Sequence, residues 1–127
     1  MSRDQQRLHD YLKHIVEAIE RIDRYTTDMS EVDFKANQMA QDAVIRNFEV
    51  IGEACHNIET HYLEFAAAHP ELPLAFAYQM RNAVAHGYFK VDLDIVWKTI
   101  FVSLPDLHAE VQKTMTELSD DVHNEKM

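Results

Sequence analysis

Residues 8–22 read LHDYLKHIVEAIERI, and their apolar side chains recur at intervals of three and four residues. The apolar set is Leu8, Tyr11, Leu12, Ile15, Val16, Ile19 and Ile22. Positions with this spacing share one side of an α-helix. The stretch therefore predicts an amphipathic helix whose apolar face turns toward the core.

A second long helix is predicted from about Ala36 to Thr60. It follows residues 25–35, where Thr, Asp and Ser interrupt the apolar pattern and predict a connection. Gly52 lies inside this helix, where glycine costs about 1 kcal/mol relative to alanine, so we expect close helix packing there. The residues predicted to face inward are Met39, Ala43, Phe48, Ile51, Ala54, Cys55 and Ile58.

Two further helical regions are predicted in the second half of the chain. One begins near Pro73 and ends around His86, because Gly87 is typical of the position just past a helix end. The other begins near Leu93 and continues to about Leu118, with Pro105 either kinking it or starting a new helix. Its residues predicted to face inward are Ile95, Val96, Ile100 and Leu104.

The composition favours a single all-α domain over residues 1–127, with a polar, frayed tail from about residue 119. Only two Gly and three Pro are present, too few for the turns of an all-β chain of this length. Four to five helices joined by short links predict an antiparallel bundle.

The composition also bears on location and partners. The lone Cys55 allows no internal disulfide and suits a reducing cytosol. No apolar run approaches the roughly 20 residues of a bilayer span, and the N-terminus lacks the apolar stretch of a signal peptide, so we expect a cytoplasmic protein without membrane contact. The formal net charge of -10 repels a phosphate backbone, so nucleic-acid binding requires a local basic site.

The side chains best suited to chemistry lie in residues 81–88, RNAVAHGY, which we call the motif segment. The permanently charged guanidinium of Arg81 can hold a phosphate by two hydrogen bonds, and an imidazole, which His86 supplies, ordinarily titrates near neutral pH and suits proton transfer. Asn82 lies one helical turn before His86, so we hypothesise that its amide orients the imidazole. Arg81 and His86 match the needs of RNA cleavage without a metal, in which the ribose 2'-OH attacks the adjacent phosphate. One histidine cannot conveniently act as both base and acid, so a twofold dimer that joins two motif segments is expected.

Three separated stretches occur in a characteristic order: RNFEVIGEA at 46–54, RNAVAHGYF at 81–89 and VDLDIVW at 91–97. Together they resemble the HepT family of HEPN domains, over residues from about Gln41 to Asp106. The resemblance implies a helical bundle and a homodimeric, metal-independent endoribonuclease that needs no cofactor. Its composite active site would lie at the dimer interface.

The resemblance also implies roles for single residues. The family motif of Arg, four residues, His, one residue and Tyr corresponds to Arg81, His86 and Tyr88. Arg81 would contact the phosphate, His86 would transfer protons, and Asn82 would be the polar residue that comes after the motif arginine. The family further implies a toxin of a type VII-like toxin-antitoxin system that acts on mRNA or tRNA. A cognate MNT-type nucleotidyltransferase antitoxin would neutralise it by attaching AMP to Tyr88.

Other cations are expected to help bind RNA despite the acidic balance. Together with Arg81, the candidates for a local positive patch are Arg46, Lys90 and Lys98.

Two alternatives stay open at this point. In the first, the chain is a non-catalytic partner that binds nucleotides or scaffolds a nucleotidyltransferase, and it binds without turnover. The second is a metal enzyme, which eight His and many carboxylates suggest. Bundle di-metal sites need Glu-x-x-His pairs on facing helices, however, and the pair Glu53 and His56 is the only one. We therefore expect no metal.

Overall fold

The computed structural model of the chain describes residues 2–75, 77–78 and 92–125, with side chains as far as Ser119. All regular secondary structure in this part of the chain is α-helical. The helices are α1 (Arg3–Thr26), α2 (Glu31–Lys35), α3 (Gln38–His61), α4 (Leu63–Ala68) and α5 (Leu93–Glu125). Residues 74–75 and 77–78 are helical as well. The predicted all-α fold is confirmed.

The N-terminal ends of the first three helices are set by local sequence. Ser2 accepts a hydrogen bond from the amide of Gln5, whose side chain accepts one from the amide of Ser2. Ser30 and Asp33 form the same reciprocal pair before α2. The Asn37 side chain accepts from the amide of Ala40 at the start of α3. Each cap satisfies amides that have no partner within the helix, which explains where these helices begin.

Helices α1 and α3 pack antiparallel and form the centre of the bundle. At one end the Tyr62 hydroxyl donates to the carbonyl oxygen of Asp4, at 3.0 Å. Toward the other end Arg21 Nε donates to Asn47 Oδ1, at 2.8 Å. Six of the seven apolar α1 residues predicted to face inward are buried, and Tyr11 is half-buried. Gly52 is buried too, as the expectation of close packing requires.

Two predicted core residues lie on the surface instead. Met39 is 82% exposed, because Ala40 and Val44 occupy the buried side of the first α3 turns. Ile95 is 51% exposed, because Thr99 takes the inward position beside Val96. The Thr99 hydroxyl can be buried because it donates to the carbonyl oxygen of Ile95 at 2.7 Å. The other residues predicted to face inward from α3 and α5 are buried or, for Ala43, half-buried.

Three predicted boundaries also need correction. Part of the predicted connection 25–35 is the short helix α2, which buries Phe34. Helix α4 was not expected, since it has only Phe65 and Ala66 packed against the core and is too short to show a period. Helix α5 runs through Pro105 to residue 125, past the predicted end. Proline has no amide hydrogen, so Pro105 cannot donate to the carbonyl oxygen of Phe101. Both residues are exposed, so water can bind this carbonyl instead.

Within the described ranges, none of the helices combines the length and the apolar character that a bilayer crossing requires.

We expect Asn47→Ala to lower the free energy of unfolding by about 1–3 kcal/mol, because Asn47 is 5% exposed and both accepts from Arg21 and donates to the carbonyl oxygen of Ala43. Urea denaturation measures the change. The matched control is Gln38→Ala, which removes an exposed amide bonded to Asp42 in the same helix and should change stability by less than about 0.5 kcal/mol. Equal effects of the two substitutions would contradict a structural role for the bond between Arg21 and Asn47.

Candidate functional site

The residues predicted to carry chemistry are not among those that the structure describes. Arg81, Asn82, His86, Tyr88 and Lys90 all lie outside the described residues. The structure does show how the chain is held immediately before and after them. These two flanks, the residues just before 79 and just after 91, anchor the chain on either side of the motif segment.

The flank before the motif segment is anchored in the core. We call residues 72–75 and 77–78 the leading segment. Leu72, Leu74 and Ala77 are buried, and the amide of Ala77 donates to the carbonyl oxygen of Pro73 at 3.0 Å. Helical structure thus begins next to Pro73, as the sequence predicts, because proline suits the first turn of a helix.

A ring stack adds a second anchor to the leading segment. The Tyr78 ring lies parallel to the imidazole of His56 on α3, with ring centroids 4.1 Å apart and an interplanar angle of 16°. Both residues are half-buried. Tyr78 precedes Arg81 by three residues, so this contact anchors the chain three residues before the motif segment.

The flank after the motif segment is anchored by the start of α5. Asp92 Oδ1 accepts from the amides of Asp94 and Ile95, at 3.0 and 3.3 Å. Asp92 therefore caps the helix, and its negative charge suits a helix N-terminus. Nearby, Phe34 of α2 packs on Trp97 with ring centroids 5.3 Å apart.

An ion pair between Lys35 and Asp94 also ties α2 to this turn. Hydrogen bonding to Asp94 raises the pKa of Lys35, and the same hydrogen bond lowers the pKa of Asp94. Both side chains are largely exposed, so the pair contributes little to stability at ordinary salt concentrations.

The leading segment, α3 and the middle of α5 meet around a small apolar pocket of about 30 Å³. Its lining comes from α3, the leading segment and α5, namely Phe48, Ile51, Pro73, Ala77, Thr99, Ser103, Leu104 and Leu107. The leading segment and α5 are therefore both part of the core. Residues 79–91 connect these two elements.

Of the proposed RNA-binding residues, Arg46 and Lys98 are described, and both are exposed. The Arg46 side chain is 74% exposed and lies 3.4 Å from Glu49. It lines a surface groove between α1 and α3 that also contains Tyr11 and His14. Lys98 lies on α5 and takes no part in this lining. The structure thus places the two cations on different helices, and the proposed patch requires more than these two residues.

Sequence reasoning missed two features of this region. Nothing in the sequence pairs His56 with Tyr78, because the residues lie on separate elements and belong to no periodic pattern. Tyr11 and His14 were likewise not connected with Arg46, since α1 and α3 had first to be packed together.

Two further chemical possibilities are limited by the structure. Burial raises the pKa of the Cys55 thiol to about 12, so the thiol stays protonated near neutral pH and is a poor nucleophile. Among the described residues, no group of three or more His, Cys, Asp or Glu could hold a metal ion.

Comparison with known proteins places the chain among ribonuclease-like sequences. Residues 15–114 match the family model described as HepT-like: Ribonuclease HepT-like. The chain is 40% identical over 114 residues to a Methanocaldococcus jannaschii protein named "Gamma-glutamylcyclotransferase and putative RNase". That match covers 90% of this chain and 50% of the relative, so the chain spans half the length of that protein.

Other relatives are covered almost completely. The chain is 40% identical over 104 residues to "Probable ribonuclease HepT" of Thermococcus cleftensis, covering 82% of this chain and 92% of the relative. It is 31% identical over 105 residues to a "Putative RNase" of Caldanaerobacter subterraneus, and this match covers 83% of this chain and 91% of the relative. No solved structure shows a significant match.

We expect Asp92→Ala to lower the free energy of unfolding by about 1 kcal/mol, because the first α5 amides lose their acceptor. Thermal or urea denaturation measures the loss. Asp106→Ala, at an exposed aspartate inside the same helix, is the control and should be within about 0.5 kcal/mol of wild type. A similar loss in both variants would show that helix capping is not the cause.

Proposed function

The chain belongs to the HepT-like ribonuclease family, and from this membership we propose that it is a metal-independent endoribonuclease that works as a cytoplasmic homodimer. The observation that carries the proposal is that the matched residues 15–114 include the whole motif segment. The relatives named as RNases point to RNA as the substrate.

The proposed reaction depends on the chemistry of two side chains. His86 removes the proton of a ribose 2'-OH, and the oxygen attacks the adjacent phosphorus, which breaks the bond to the 5'-oxygen of the next nucleotide. Arg81 stabilises the extra negative charge of the phosphorane-like transition state. A second His86, from the partner copy, protonates the leaving 5'-oxygen. The Asn82 amide orients the imidazole.

The anchored flanks support this assignment. A guanidinium and an imidazole act on a phosphate only when they are held in a productive arrangement, because misplacement by about 1 Å can cost a hundredfold in rate. The leading segment and the cap of α5 restrain the chain at both ends of residues 79–91. A rigid scaffold on either side suits a segment that carries catalytic groups.

The biological setting proposed for this activity is a type VII-like toxin-antitoxin system in which the chain is the toxin and cleaves mRNA or tRNA. An MNT-type nucleotidyltransferase antitoxin would transfer AMP to the phenol oxygen of Tyr88. The attached group adds negative charge and bulk next to Arg81 and His86, where the RNA phosphate must bind. This part of the proposal rests on family resemblance.

The central prediction is that purified wild-type protein cleaves a mixed RNA pool in the presence of chelator, and that His86→Ala and Arg81→Ala each lower the rate by about a hundredfold or more. Product sizes on a denaturing gel and initial rates provide the measurement. His61→Ala is the control, because His61 is exposed at the end of α3 and lies outside the motif segment.

Two results would contradict the nuclease. One is RNA binding without cleavage by wild-type protein whose Tyr88 is free by mass spectrometry, which would support the non-catalytic nucleotide-binding partner. The other, cleavage at the wild-type rate in His86→Ala, would contradict the proposed proton transfer by His86 and with it the mechanism.

Lys98→Ala tests whether a cation outside the motif segment contributes to RNA binding, as proposed for Arg46, Lys90 and Lys98. If Lys98 contacts one phosphate, the substitution should weaken binding equally for all sequences and reduce the slope of log affinity against log salt by about one. Fluorescence anisotropy with labelled RNA at several salt concentrations measures both. Lys113→Ala, an exposed lysine farther along α5, is the matched control, and equal effects of the two variants would indicate a loss of general charge alone.

A further inference from the structure

The stack between His56 and Tyr78 connects the core of the bundle with the chain just before the motif segment. His56 lies on α3, between the buried Cys55 and the half-buried Asn57. Because α3 is held along α1 by the bonds from Arg21 and Tyr62, its position is fixed independently of the motif segment. The imidazole thus presents a fixed flat surface to Tyr78.

The stack restrains a motion that the apolar anchors restrain only weakly. Leu74 and Ala77 are three residues apart and bury one side of the leading segment. Because the hydrophobic effect is non-directional, these two contacts resist separation from the core more strongly than they resist a small rotation about the helix axis. Parallel rings 4.1 Å apart lose contact when one of them turns, so the stack adds resistance to rotation.

Rotation at Tyr78 matters because Arg81 and His86 come shortly after it in the sequence. The helix that begins near Pro73 is predicted to continue to His86. On such a helix Arg81 lies one turn after Tyr78, and a rotation of the helix would move the guanidinium and the imidazole together.

We propose that His56 and Tyr78 are positioning residues, whose ring stack sets the rotation of the predicted helix that begins near Pro73 and is expected to carry Arg81 and His86. This inference rests on the proposed ribonuclease function. The stack does not touch the RNA. It acts by holding Arg81 where the guanidinium meets the charge that develops on the phosphate.

A positioning role predicts which kinetic constant changes. Arg81 acts on charge that is largest in the transition state, so its misplacement lowers kcat more than it raises KM. A purely structural role would reduce the folded fraction and leave kcat per folded molecule unchanged.

The test compares variants that keep two flat rings with variants that lose one. Tyr78→Phe and His56→Phe preserve stacking and should retain at least about half of the wild-type kcat. Tyr78→Leu and His56→Leu remove it and should lower kcat about tenfold or more, with KM within about twofold. The double Leu variant should lose no more than either single variant, because both remove the same contact. Each rate is divided by the folded fraction measured by circular dichroism. If one of the two single Leu variants folds poorly, the other is sufficient for the test.

His69→Leu is the matched control. His69 lies over Phe65 with ring centroids 4.4 Å apart, so this substitution also removes a histidine from a half-buried aromatic pair. It should leave kcat per folded molecule unchanged.

Three outcomes would overturn the positioning role. They are wild-type kcat in the folded Leu variants, a change confined to KM, and equal losses in the Phe and Leu variants. Wild-type protein and His86→Ala, assayed in parallel, separate this failure from failure of the proposed function. If wild type does not cleave RNA, the proposed function and this inference both fall. If wild type cleaves and the folded Leu variants cleave equally well, only the inference falls.

Discussion

The apolar faces of α1 and α3 pack against each other, and the bond from Arg21 to the buried Asn47 holds the two helices in register. Arg21 donates to the Asn47 side-chain oxygen and the Asn47 amide nitrogen donates to the carbonyl oxygen of Ala43, so the buried amide is not left unpaired. Every other described element is placed by reference to this pair. Helix α5 packs on α1, and α2 and α4 pack on α3.

The region that would carry the chemistry depends on this arrangement at both of its ends. Before it, the leading segment is buried through Leu72 and Leu74, and Tyr78 stacks on His56 of α3. After it, Asp92 caps α5, whose first turns contact α2 through Trp97. The α3 helix thus supports the chain directly on one side. After the motif segment, the chain is supported by α5 together with α1 and α2. A displacement of α1 relative to α3 would therefore move the chain at both ends of residues 79–91.

Because the net charge of -10 repels RNA, it matters for an RNA-cleaving enzyme how many cationic side chains remain available to bind phosphate. Several of the described cations already serve the fold or have acidic neighbours: Arg21 binds Asn47, Lys35 pairs with Asp94, and Arg46 lies beside Glu49. Long-range attraction of RNA is therefore weak. In the proposed ribonuclease, short-range contacts between cationic side chains and individual phosphates would therefore matter more than long-range attraction.

The amino-acid order alone was enough to predict the helices with strong apolar periods, and it also supplied the prediction that Arg81 and His86 carry the chemistry. The seven apolar residues of 8–22 indicated α1 because helical spacing is a local property. The presence of an arginine and a histidine within residues 81–88 is likewise read directly from the sequence, and their joint role stays a prediction. Short elements such as α4 could not be predicted because they depend on neighbouring helices. The same holds for the exposure of Met39 and Ile95, because neighbouring helices decide which side of a helix is buried. Helix packing was needed to bring His56 to Tyr78 and Arg21 to Asn47, because contacts between distant segments form only in the folded chain and leave no period in the sequence.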